Sequence, residues 1–484
     1  MNKHCGICFV ALLIVPGIQS PALFADTQLT FNEVNHQLDN NLNFSPDGNW
    51  LAYDTRASSG GIRNTLTLEK VNINTKQIVV IHQTDNPIVD LGPGTAAVSY
   101  FPTGDKVIAI HGPATSTGLK YEGYRRFGAI FDPTDGTAPI VIADARDVTF
   151  PYTPGALRGG THRHEPTGDG QWVGFTYNDQ VMALAPNNTD LRTIGITKLG
   201  MPVAVDHDVA GENHDGTGFS VLLVKVKAQS LVTPDTEEIF QASDDSFVGD
   251  NGYMTPGGTM QRARAFIGKT RRTLPDLSVV TRNELFVVDI PADITVPGPD
   301  GPLEGTATTF PMPPAGTVQR MLTHSDSDVG DIVRSSKDGS RIAFSKLDAG
   351  GVRQIFLQSP LATLSDDPIQ ATFLPGGSTK PWWHPSGDYL ISISANSIFS
   401  TNVIPGHPNF GKSVMLTAPT PGASPDALVV SPDGSLIAFN RRINGFNQVF
   451  VTAFFVPEPS TLVLVAFGMF GAFANIRRPR TESV

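Results

Sequence analysis

The chain has 484 residues, 40% of them hydrophobic and only 17% charged, against about 25% charged in an average globular protein. That composition builds a sizeable core and excludes a disordered tail. A formal charge of -11 excludes a nucleic-acid binder, because phosphate neutralisation needs a basic surface. The only cysteines, Cys5 and Cys8, lie in the first ten residues, so thiolate catalysis, Cys-ligated zinc and iron–sulfur clusters are excluded from the rest.

At the N-terminus, Lys3 and His4 precede the apolar run Ile7 to Val15, which Pro16-Gly17 breaks before the small residues Ala22 and Ala25. Residues 1–25 read as a secretory signal peptide, with a buried helix as the alternative. From there one pattern recurs: a short inner stretch, a turn ending in Gly, and a β-rich run. Ser45-Pro46-Asp47-Gly48 leads into Trp50 to Tyr53, and Ser431-Pro432-Asp433-Gly434 into Leu436 to Phe439. Between them lie turns ending at Gly104, Gly170, Gly216, Gly339 and Gly387. Gly accepts the positive φ that such tight turns need.

The turn glycines are spaced by 56, 66, 46, 123, 48 and 47 residues, and three of these gaps match the roughly 40 to 50 residues of a four-stranded propeller blade. Within the long gap, Glu284 to Ile290 reads as a late strand of the fourth unit, which leaves 228–281 as an insertion. It has an acidic half (Glu237, Glu238, Asp244, Asp245, Asp250) and a basic half (Arg262, Arg264, Lys269, Arg271, Arg272). Such blocks read as solvated loop, or as a lid or docking arm. Gln28 to Phe31 is expected to close the ring against the last blade, beside Gln448 to Ala453. The predicted fold is therefore all-β: a seven-bladed β-propeller over 26–455, with six or eight blades as alternatives.

The turns resemble the Pro-Asp-Gly repeats of TolB-like propellers, a WD40-like class without the Trp-Asp dipeptide here. The run Pro151 to His162, with Phe175-Thr176-Tyr177-Asn178-Asp179 and Asn35-His36-Gln37-Leu38, resembles an uncharacterised family of exported TolB-like bacterial proteins. That resemblance brings a fold and no established chemistry. At the C-terminus, Pro457-Glu458-Pro459 precedes the uncharged run Leu462 to Phe473 and then Arg477-Arg478-Pro479-Arg480. This order over 456–484 resembles the PEP-CTERM sorting signal. It implies export in a Gram-negative bacterium to the periplasm, outer-membrane surface or extracellular matrix, transient membrane association, and an exosortase-type sorting enzyme as partner.

In a propeller the inner strands line a central channel, and alternation turns every second residue toward it. Five residues before each turn Gly stand Asn43, Ser99, Glu165, Gly211, Arg334, Trp382 and Val429, a mostly polar column expected to face the channel. The column one residue earlier, including His164, is expected to pack between sheets. The column before that brings Arg163 and Lys380 back to the channel. Asn43, Arg163, Glu165, Arg334, Lys380 and Trp382 are the candidate ligand residues, and cations around one carboxylate suit an acidic sugar.

His162, His164, His207 and His324 are candidate ligands for a divalent metal. Oligogalacturonate lyases, propellers with a metal that aids proton removal beside a uronate carboxylate, resemble that arrangement in architecture only. The expected function is an exported, non-enzymatic propeller that binds a polysaccharide or protein partner. The alternatives are a metal-assisted lyase or hydrolase on acidic oligosaccharides and a TolB-like envelope scaffold. Gly406 to Ser413 fits a phosphate-loop pattern but precedes no helix, and Asp326 to Asp331 lacks the glutamate of a calcium loop.

Overall fold

A computed structural model describes residues 26–455, except 40, 58–60, 86, 89–90, 137 and 208–210. The expected signal peptide and the sorting signal with Pro457, Glu458 and Pro459 lie outside the described residues. Among the described residues seven antiparallel sheets are arranged as blades, and an eighth, Tyr253–Met254 with Met260–Gln261, is a small hairpin. Blade 1 pairs Trp50–Asp54, Thr67–Asn72 and Ile78–Gln83, with the stretch around Asn43 laid inside it through Ala52 N–H to Asn43 O at 2.8 Å. The inner strands of blades 2 to 7 are Thr95–Tyr100, Gly159–Pro166, Gln241–Phe247, Gly330–Ser335, Thr379–Trp383 and Asp426–Val430.

The recurring turn has a physical basis. In Ser45, Thr167, Ser336 and Ser431 the hydroxyl donates to the Asp two residues on. The same oxygen accepts the N–H five residues on at 2.9 to 3.1 Å. The Gly three residues after each hydroxyl takes φ of 68° to 78°, which side chains disfavour. One side chain therefore holds both ends of each turn.

A second repeat was not expected from the pattern. Ala97, Arg163, Asp244, Asp331, Lys380 and Ala427, one in each of six inner strands, have φ between 51° and 64°. Each sits where the pairing with the next strand slips. These are β-bulges, in which an extra residue interrupts the alternation. Two are tied to the preceding blade: Ala97 N–H donates to Asp54 at 2.9 Å and Lys380 N–H to Asp331 at 3.0 Å.

The blades share no single core. Apolar clusters lie between neighbours instead, with Leu68, Val98 and Phe131 joining blades 1 and 2, and Phe101, Ile130 and Val173 joining blades 2 and 3. Phe247 and Phe286 of blade 4 pack with Trp172 and Ile196 of blade 3. Leu29 and Val449 pack with Leu51 and Val71 where the last blade meets the first.

Three sequence expectations need correction. The turn at Gly216 opens no blade, because Gly216–Leu222 is the outermost strand of blade 3, so Gly211 is not an inner-strand residue. Residues 228–281 are not an insertion, since they carry Gln241–Phe247 and Ala263–Thr273, the first two strands of blade 4. Nor are their charges all solvated: Asp245 is 2% exposed and Arg264 1%. Glu284 does lie in a late strand of that blade, Val279–Asp289.

The ring closes as expected, with Thr27–Gln28 pairing with Phe446–Ala453 in the sheet of blade 7. Two buried amides reinforce the seam. Asn440 accepts Leu38 N–H at 2.8 Å and donates to His36 O at 2.7 Å. Gln448 accepts from Thr30 Oγ1 at 2.7 Å and donates to Asn32 O at 2.8 Å.

Asn440→Leu should leave a backbone N–H and carbonyl unpaired at the seam and cost about 2–4 kcal/mol in chemical denaturation. A change within experimental error would show that closure does not depend on that amide. Glu284, 1% exposed, has its pKa pushed up to about 7, by burial above all and against the hydrogen bonds from Thr323 and Ser325. A carboxyl protonated more readily in the folded state withdraws stability as pH rises through that value. Wild type should therefore lose thermal stability as pH rises from about 4.5 to about 7, relative to Glu284→Gln, by up to about 3 kcal/mol. Parallel melting curves for the two proteins across that range would refute this.

Candidate functional site

The seven inner strands leave a cavity of about 440 Å³ at the channel end where each runs into its turn. All seven blades contribute to its wall, among them Asn43, Tyr100, Glu165, Phe247, Arg334, Trp382 and Val429. Four of the six candidate ligand residues, Asn43, Glu165, Arg334 and Trp382, thus meet at one cavity.

Their chemistry differs. Asn43 is fully buried and its amide is engaged, donating to Ala52 O at 2.9 Å and Val98 O at 3.1 Å, so it joins blades 1 and 2. Glu165 accepts Phe247 N–H at 3.0 Å and lies 3.4 Å from Arg264 Nη2. The Arg334 guanidinium sits 4.4 Å from the Trp382 ring centre, while the Trp383 indole donates to Arg334 O at 2.9 Å. Burial, and then the cation of Arg163, press the pKa of Arg334 down to about 9, against the opposing pull of Glu165, Asp245 and Asp39. A desolvated guanidinium on an aromatic face, with a carboxylate across the cavity, can grip a polar ring and its hydroxyl or acidic groups.

Arg163 and Lys380 do not join this wall. Both occupy bulge positions, where the simple two-residue alternation fails. Arg163 Nη1 donates to Asp245 O at 2.8 Å, and the Lys380 ammonium pairs with Asp426. In blade 3 the bulge places His162 opposite Thr176 and Glu165 opposite Gly174. Thr176 and Gly174 are two apart on one strand, so His162 and Glu165 share a face although three residues separate them.

Arg264 is the residue that sequence reasoning missed, because it fell in the supposed insertion. It bonds Asp245 and Glu165, and its guanidinium lies 4.5 Å from the Phe247 ring centre. Its path explains Gly174: a Cβ there would fall 0.9 Å from Arg264 Nη1. An arginine in a charged stretch, with glycine where the neighbouring blade should carry a side chain, is a signal that only the inter-blade pairing makes readable.

The four metal candidates do not meet. His164 is buried between blades, with Nε2 2.9 Å from Thr161 Oγ1 and close to Gly128 of blade 2. His162 lies on the other face of the strand. His207 is exposed and pairs with Asp215 at 3.0 Å, and His324 bonds Arg272 at 3.1 Å. Among the described residues no three His, Cys, Asp or Glu side chains gather as a metal site would need. The other motifs resolve into structure too. Gly406 to Ser413 leads into the strand Ser413–Met415, and Asp328 and Asp331 accept backbone N–H groups.

A closed ring of seven antiparallel blades around a polar, aromatic-walled channel defines a seven-bladed β-propeller. The chain belongs to the family of the uncharacterized protein YidR of Escherichia coli (strain K12), to which it is 33% identical over 439 residues, 87% of this chain and 96% of the relative. Residues 94–213 match a family described as a protein of unknown function, DUF3748, and 455–478 match the PEP-CTERM protein-sorting motif. That motif implies export to the cell envelope and recognition by an exosortase. Among solved structures, an oligogalacturonate lyase from Vibrio parahaemolyticus superposes with a TM-score of 0.50 at 11% identity, covering 91% of this chain and 95% of that one. A putative TolB from Agrobacterium tumefaciens gives a TM-score of 0.36 at 14% identity, covering 81% and 98%. The first likeness shows the fold alone.

Gly174→Ala should displace Arg264 and leave Asp245 and Glu165 without their shared cation. Breaking a buried pair in this way costs about 3–5 kcal/mol. A denaturation free energy within about 1 kcal/mol of wild type would mean that Arg264 has another resting place.

Proposed function

We propose that this protein is an exported, non-enzymatic binding propeller, and that the channel-end cavity takes a segment of polysaccharide. The observation that carries the reading is the pairing of Arg334 with the face of Trp382 at 4.4 Å, in a cavity that also holds Glu165. A guanidinium seated on an indole, with a carboxylate lining the same cavity, addresses the hydroxyl or acidic substituents of a sugar. A volume of about 440 Å³ falls within the range of sites that take small molecules or short oligomers. The sorting motif supports a place in the envelope or outside the cell, where such polymers occur.

The competing reading, a metal-assisted lyase or hydrolase on acidic oligosaccharides, finds no support in the histidines, which stand apart. The test is a glycan array probed with the exported protein, alongside Trp382→Ala and Arg334→Ala. Each variant should lose at least about tenfold in affinity for whatever glycan wild type retains, since one stacked or charge-assisted contact is worth that much. Absence of any glycan binding by wild type, or undiminished binding by both variants, would remove the proposal.

A further inference from the structure

Near the start of the inner strand of blade 3, the cationic side chains of Arg126 and Arg192 lie within electrostatic reach of His162. Arg126 precedes the strand Phe127–Phe131, and its carbonyl accepts Thr161 N–H at 3.1 Å, which fixes it beside the start of blade 3. Its Nε donates to the Tyr121 hydroxyl at 2.7 Å. Arg192 precedes Thr193–Val203 and reaches back so that Nη2 donates to Thr176 Oγ1 at 2.9 Å. Thr176 is the residue paired with His162, so Arg192 is held next to that imidazole.

Two polar atoms of this group are buried without a partner, Arg192 Nε and His162 Nδ1. Among the described residues, neither Arg126 nor Arg192 has a carboxylate in ion-pair contact, whereas Arg56, Arg146 and Arg158 each do. The charges act on one another. Burial, then Arg126, Arg192 and Arg56, hold the His162 pKa well below the usual imidazole range. Burial also lowers that of Arg192, with Arg126 and Arg163 adding to it while Asp245 and Asp244 oppose. Asp245 is already bonded to Arg264. In a chain of net charge -11, such a concentration of positive charge does not follow from general basicity.

We propose that Arg126, His162 and Arg192 form an oxyanion site that takes a carboxylate, sulfate or phosphate group, with His162 roughly 7 Å along the blade from Glu165, since their partners Thr176 and Gly174 are two residues apart at about 3.3 Å per residue. Guanidinium N–H groups bond such an oxyanion with charge assistance, and its negative charge relieves the repulsion between the two arginines. The site shares no residue with the Trp382 cavity and does not rest on the polysaccharide reading.

The test is calorimetric titration of the exported protein with inorganic phosphate, sulfate and galacturonate at constant ionic strength, with R126Q and R192Q in parallel. Wild type should bind at least one of the three, and each variant should bind it at least about tenfold more weakly. Tighter binding of phosphate or sulfate assigns the site to a free or esterified inorganic anion, and tighter binding of galacturonate assigns it to an acidic sugar. Should the variants fail to fold, thermal unfolding of wild type decides, since the preferred anion should raise its Tm relative to chloride by mass action on the folded state. No binding of any probe, equal affinity in folded variants, or no rise in Tm would each overturn the proposal.

Discussion

Each blade of this molecule has two apolar faces and can cover neither by itself. Trp172 and Ile196 of one blade need Phe247 and Phe286 of the next, and so on around to Leu29 and Leu51 at the seam. Removing any blade would expose two such faces, so the ring is stable only when closed. Closure in turn depends on the strand Thr27–Gln28, which crosses from the chain's start into its last sheet. The buried amides of Asn440 and Gln448 satisfy the backbone groups that this crossing would otherwise strand.

The closed ring forces polar chemistry into the channel. Seven inner strands converge there, and the bulges in six of them turn charged side chains into places that a regular strand would leave to alternation. The molecule answers partly with internal pairing, as in Arg264 with Asp245 and Glu165, and Arg56 with Asp39 and Asp54. What remains is unevenly distributed along the axis. The turn end holds an aromatic wall with Arg334 and Glu165, and the region around His162 holds arginines without ion-pair contacts of their own. The proposed ligands, a sugar-like body at the first and an anionic group at the second, would complement these two regions.

Family membership and this geometry carry different information. The relationship to YidR extends over nearly the whole of both chains and supports a shared fold. The lyase likeness stops at architecture, and the histidines illustrate why. His164 is spent between blades and His207 lies exposed beside Asp215, so similar propellers can differ in what their channels hold.

The sequence by itself determined the blade pattern, because a hydroxyl, an Asp and a Gly at fixed offsets are local requirements of one turn and leave their mark wherever that turn recurs. It also set Glu165, Arg334 and Trp382 at equivalent positions, since they are counted from the same turns, and all three line one cavity. It did not place the fourth blade's inner strand, whose turn lacks the motif, and the Asn213 to Gly216 turn imitated it. Tertiary structure alone decided that Arg264 lies across Gly174, that Arg163 and Lys380 leave the cavity, and that His162 and Glu165 share a face. Those facts depend on which strands are neighbours and on where a bulge interrupts the ladder. Such relations join residues up to 99 positions apart, as in Arg264 and Glu165, and no local pattern encodes them.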